Sequence, residues 1–220
     1  MTFPSTGPRL VLHAVRLKGF AEPAVVAQAT GLDPVVVDEQ LRRLADEGLV
    51  HRRDGRVAGW ALTTAGREAH RQLAADELAA AGGADDVDSA YRRFLALNGP
   101  FLAVATAWQV RDDAVAPVAN DHTDADYDAG VVTRLAAIHD EIGPVLADLA
   151  GCLVRFGGYA PRLGHALDRV RAGEPEWFAR PLIDSYHSIW FELHEDLLAT
   201  LGRQRAAEHA QPEVPALTCE

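Results

Sequence analysis

The sequence predicts a mainly α chain with a small β-wing near its start and an all-α remainder. Three observations predict it. Apolar residues recur at helical spacing through most of the chain. One stretch, "LVHRRDGRVAGWALT" at 49–63, instead sets two short extended runs on either side of an Asp-Gly pair, which is a hairpin signal. Finally, "ELAAAGGADDVDS" at 77–89 places a glycine pair and an acidic cluster between two helical patterns, marking a boundary near 82–88.

The elements of residues 1–82 follow in order. Leu10, Val11, Ala14, Val15 and Leu17 share one helical stripe, so 8–18 is a helix stopped by Gly19. Pro23 opens a second helix that runs to Gly31, since the first helical turn tolerates a missing N–H. Asp33-Pro34 supplies a cap and a proline start for the third, whose Val37, Leu41 and Leu44 form its inner stripe. Gly48 ends it. Two strands flank the turn "DGR", and Thr63 or Thr64 caps a fourth helix, 65–81. Trp60 reads as core that fixes the hairpin, Gly59 as a point where the strand nears a helix, and Gly66 as a tight packing position.

Residues 88–210 read as an all-helical dimerisation module, with 211–220 as a frayed tail. Gly-Pro pairs at 99–100 and 143–144 predict kinks or helix breaks. "VAPVANDHTDADYDAG" reads as an acidic loop, "GYAPRLGHALDRVRAG" as a short helix ended by Gly173, and the chain after Pro181 as a long helix.

Composition narrows the class. The chain of 220 residues is 48% apolar and 24% charged, the balance of a globular protein. No run approaches the 18 or so apolar residues of a membrane span, and the start lacks a signal-peptide pattern. Two cysteines, Cys152 and Cys219, make no disulfide framework, so a reducing cytoplasm is expected. The net charge is −11, but residues 1–82 carry 10 basic against 10 acidic side chains and residues 83–220 carry 11 against 22. Only the first part could meet a polyanion.

Three helices, a strand, an Asp-Gly turn, a returning strand and a helix make the plan of a winged helix-turn-helix. In that plan the third helix enters a major groove and the hairpin tip lies over phosphates. "LRRLADEGLVHRRDGR" followed by "GWALTTAGRE" resembles the MarR-like winged-helix regulators of bacteria, over about residues 8–80. The resemblance implies groove-facing positions Val35, Asp38, Glu39, Arg42 and Arg43, and wing contacts Arg52, Arg53 and Arg56. Asp38 and Glu39 depart from the pattern, because carboxylates repel phosphate, although they can accept from cytosine N4.

The second part offers no nucleophile elbow, P-loop or His-Glu-x-x-His, so no catalytic residue and no cofactor is expected. Asp184, His187, Phe191 and His194 share a helix face, but imidazoles two turns apart lie about 10 Å from each other and cannot share a metal ion alone. His187 could join His139 or His165. The loop holding Asp121, His122, Asp124, Asp126 and Asp128 lacks the glycine and terminal glutamate of a calcium loop. Cys152 reads as a small hydrophobe. Arg155, Tyr159, Arg162, Trp177, Tyr186, His187, Trp190 and His194 could line an effector pocket in which arginine selects an anion. The expected protein is therefore a dimeric, double-stranded-DNA-binding regulator with a possible small-molecule effector. The alternatives are a winged-helix adaptor that binds protein only, and a metal sensor or enzyme in the helical part.

Overall fold

A computed structural model describes residues 3–55, 58–111, 116–181 and 183–203. It is mainly helical, with two small antiparallel hairpins, and none of its helices is long and apolar enough to cross a membrane among the described residues.

Helices α1 (Gly7–Lys18), α2 (Pro23–Thr30) and α3 (Pro34–Asp46) come first. Prolines stand in the first turns of all three, where no N–H is needed. The Asp33 side chain accepts from the Val35 N–H at 2.8 Å and starts α3. Strand β1 (Val50–Arg53) pairs with β2 (Gly59–Leu62) in the register Val50–Leu62 to Arg53–Gly59. Thr63 then caps α4 (Thr64–Ala81), accepting from the Gly66 N–H at 2.9 Å. A first core gathers Val11, Leu12, Val15, Val26, Val37, Leu41, Leu44, Trp60 and Leu62.

Two glycines have work in this part. A Cβ on Gly66 would stand 1.9 Å from the Leu49 carbonyl oxygen, so α4 touches the chain entering β1. Gly59 has φ +141° and a Cβ there would meet Ala21 backbone at 2.9 Å. What approaches the strand is thus the extended residue after α1, not a helix. Ala21 and Trp60 exchange N–H···O bonds of 3.0 and 2.8 Å, adding an edge contact to β2.

The remainder consists of α5 (Ala84–Gln109), α6 (Ala125–Cys152), a 3-10 turn (Val154–Gly158), α7 (Tyr159–Arg171), α8 (Glu176–Ala179) and α9 (Tyr186–Thr200). Its core joins Phe94, Phe101, Leu135, Ile142, Leu149, Phe156, Leu163, Phe178, Trp190 and Leu193. Only Gly82 and Gly83 separate α4 from α5. Leu78 of α4 belongs to this second core, and Phe3 bonds across to Cys152 and Val154, so both ends of the N-terminal part are anchored here.

The structure corrects three sequence readings. Each Gly-Pro pair lies inside one continuous helix, so the break alternative is overturned. The carbonyls that lose a donor, on Ala96 and Asp140, belong to exposed residues, where water can serve them. The acidic loop holds strand β4 (Val118–Ala119), paired with β3 (Val110–Arg111), and the first turn of α6. The last helix starts at Ser185, whose hydroxyl accepts from the Ser188 N–H, and not at Pro181. Arg56, Cys219 and the 211–220 tail lie outside the described residues.

Candidate nucleic-acid interface

Helix α3 buries Val37, Leu41 and Leu44 against α1 and α2. The opposite face is open: Val35 is 75% exposed, and the side chains of Arg42 and Arg43 are 72% and 70% exposed. Glu39 is exposed and Asp38 half-buried. The third helix therefore reaches solvent instead of packing into the helical remainder.

Arg42, Arg43 and Arg52 all have acidic neighbours. Arg42 pairs with Asp38 one turn earlier, and Arg43 with Glu47 at 3.3 Å. On the hairpin, Arg52 meets Asp54 at 3.1 Å. Arg53 instead lays its guanidinium over the Phe20 ring, 5.3 Å from the centroid. These pairs are solvent-exposed, and such pairs contribute about 0–1 kcal/mol. They pre-orient the guanidinium groups but do not lock them.

The eight residues read from sequence as a pocket do not share one cavity. Tyr186, Trp190 and His194 are core, stacked among Phe94 and Phe101, and His187 lies against Phe101. Arg155, Tyr159 and Arg162 line a small cavity of about 60 Å³ between α1 and α9. Arg162 and Trp177 line a larger cleft of about 630 Å³ between α1–α2 and α8–α9. Neither arginine is available to an anion. Arg162 spends its donors on Asp184 and Glu192 at 2.9–3.1 Å, and Lys18 caps the same Glu192 at 2.7 Å.

Arg155 belongs to a joint that the sequence did not reveal. Its side chain is 4% exposed and bonds Glu77 of α4, Asp196 and Thr200 of α9, and Nε2 of His13 of α1. The Tyr159 hydroxyl donates to Asp196 at 2.9 Å. His13 Nε2 also meets Asp196 at 3.1 Å, and His13 Nδ1 meets His70 Nε2 of α4 at 2.9 Å. Desolvation, then the charges of His13 and Arg16, depress the His70 pKa from 6.5 to about 3. Burial would raise the pKa of Asp196, but Arg155 and His13 outweigh it and hold the carboxylate well below its ordinary range. Arg16 with Glu195, and Lys18 with Asp184 and Glu192, extend the joint. One signal was legible: Arg9, His13 and Arg16 recur at i, i+4 and i+7. Their acidic partners, however, are distant in sequence.

The other polar clusters are locally spent. Asp124 caps α6 and pairs with Arg111, Asp121 binds Thr123, and His122 Nδ1 meets Asp128 at 2.9 Å. His139 reaches the Tyr186 hydroxyl, and His165 abuts Trp177 edge-on. Among the described residues no three His, Cys, Asp or Glu side chains gather around a common point. Cys152 is partly buried, and burial raises its thiol pKa, which lowers its nucleophilicity. No protein-family model matches the chain, and no curated protein or solved structure shows significant similarity to it.

Proposed function

We propose that the chain is a DNA-binding transcriptional regulator, acting in the cytoplasm as a homodimer, with α1 to β2 as a winged helix-turn-helix reader. One observation carries the reading. The third helix keeps Val35, Glu39, Arg42 and Arg43 in solvent and leads into a hairpin whose first strand exposes Arg52 and Arg53. A helix so placed suits a major groove about 12 Å wide, with the hairpin arginines meeting the flanking phosphates.

The exposed pairs cost little to exchange. Phosphate can replace Asp54 on Arg52, or Glu47 on Arg43, as a charge-assisted and geometrically similar acceptor. Asp38 presents a carboxylate that suits cytosine N4 better than a phosphate. The acidic excess of residues 83–220 keeps the rest of the molecule from competing for the same strand.

The test is binding of the full chain to genomic promoter fragments by gel shift, with Arg52→Glu/Arg53→Glu as the contrast. The reading expects retention by wild type and loss in the variant. Equal behaviour of the two, or no retention, refutes it. A second reading, an adaptor that binds protein only, draws on Arg42, Arg43 and Arg52 each already holding a carboxylate. That reading expects no DNA retention at any salt concentration.

A further inference from the structure

The cleft between α1–α2 and α8–α9 has a size and a chemistry of its own. At about 630 Å³ it falls within the range of small-molecule sites, roughly 300–1,000 Å³. One wall is Leu17, Phe20 and Val25, and the facing wall is Trp177, Ile183 and Phe191. Phe20, Val25 and Phe191 are 41%, 40% and 49% exposed, an unusual outlay of large apolar side chains around one opening. The polar floor is balanced: Lys18 and Arg162 against Asp184 and Glu192, each cation bonded to both carboxylates. A charged guest would have to displace a member of that quartet and leave a partly buried charge without its partner. An uncharged guest would leave it intact and cover the apolar walls.

Phe20 also connects the cleft to the hairpin. Its ring carries the Arg53 guanidinium, and its neighbour Ala21 is hydrogen-bonded in both directions to Trp60 of β2. Gly59, opposite Arg53 in the register, meets the Ala21 backbone too closely for any side chain. Within the segment 19–21, Phe20 therefore lines the cleft and carries Arg53 of β1, while Ala21 is bonded to β2.

We propose that this cleft binds an uncharged, mostly apolar, ring-containing small molecule, and that Phe20 passes its occupancy to the hairpin. The idea rests on the regulator reading for its purpose but not for its existence, since binding to the cleft requires no DNA. A guest seated on Phe20 fixes that ring, and with it the position of Arg53. By linkage, whatever bias the guest places on the hairpin, a hairpin ligand must place on the guest.

Nile red, an uncharged fluorescent ring system, serves as the probe, with the anionic 1-anilinonaphthalene-8-sulfonate beside it, on the full chain without DNA. The proposal expects saturable Nile red binding at one site per chain. Val25→Arg, on the exposed face of α2, should weaken it at least tenfold while the melting midpoint stays put, and Phe191→Ala should weaken it by a smaller factor. The anionic dye should not compete for the site. Hydrogen exchange of the β1 and β2 amides should slow when the probe saturates wild type and stay constant in Phe20→Ala. Undiminished binding in Val25→Arg, equal competition by the anionic dye, no binding at all, or β-strand exchange indifferent to a bound probe each overturns it. The outcome is independent of DNA retention, so a failure here and a failure of the regulator reading are told apart.

Discussion

His13 of α1 and Asp196 of α9 meet at 3.1 Å, with side chains only 10% and 2% exposed, and the contact ties the first helix of the chain to the last described one. Arg155 approaches both of them from the 3-10 turn, and Glu77 and Thr200 complete its shell. The N-terminal helices are therefore fixed to the helical remainder by buried ions, whose energetics differ from those of an apolar seam.

Removing one ion from that set should be expensive. Asp196→Asn leaves Arg155 enclosed with too little opposing charge, and breaking a buried pair costs about 3–5 kcal/mol. Arg93→Ala, which breaks a 2.5 Å pair to Asp148 with side chains 44% and 58% exposed, should cost about 1 kcal/mol or less. Urea unfolding of both variants compares them directly.

Acid should loosen the fold through His70. In the unfolded chain this histidine takes a proton below about 6.5, whereas in the fold it stays neutral down to about 3. Between those values the unfolded state binds more protons, so stability is complete above pH 6.5 and drains away as pH falls toward 3. Asp196, whose folded pKa is depressed, acts in the same direction below the ordinary carboxylate range. Melting midpoints should fall between pH 6.5 and 4, and His70→Gln should fall less steeply across that window. An unchanged slope in the variant would remove His70 from the explanation.

Two glycine replacements should have opposite signs. Gly66→Ala drives a methyl into the Leu49 carbonyl and should destabilise by about 2 kcal/mol or more, in the range of an overpacked site. Gly130→Ala, inside α6 with open space around the new carbon, should stabilise by about 0.5–1 kcal/mol. Thermal unfolding reads both.

Local signals carried the first half of the chain well. Asp33-Pro34, the stripe of Val37, Leu41 and Leu44, the paired strands on either side of Asp54-Gly55, and Thr63 are short-range signals, and the structure uses each of them. The failures are non-local. Of the kink and the break that Gly-Pro allows at Pro100 and Pro144, the break fails, because the packing of α5 on α6 holds both helices continuous and the freed carbonyls lie on exposed residues. The β3–β4 hairpin rests on Asn120, whose side chain bonds the Trp108 carbonyl and Asp128, partners that only the folded chain brings together. Arg155 and Arg162 read as ligand selectors because sequence shows a cation but not the carboxylates that already occupy it.

The hairpin arginines should act on DNA as charges more than as readers of bases. Arg53→Ala should weaken binding to operator and unrelated fragments alike, and should lower the salt slope by about 2 for a dimer, one phosphate per protomer. A loss confined to one sequence would instead place Arg53 against base edges.

The central claim is that the open face of α3 and the hairpin bind a polyanion. Its most direct test is the affinity of the full chain for a promoter fragment, by fluorescence anisotropy from 50 to 300 mM salt. If the claim holds, log affinity falls linearly with log salt at a slope of about −4 to −6, as four to six displaced phosphate counterions require. A flat line, or no binding at 50 mM salt, contradicts it.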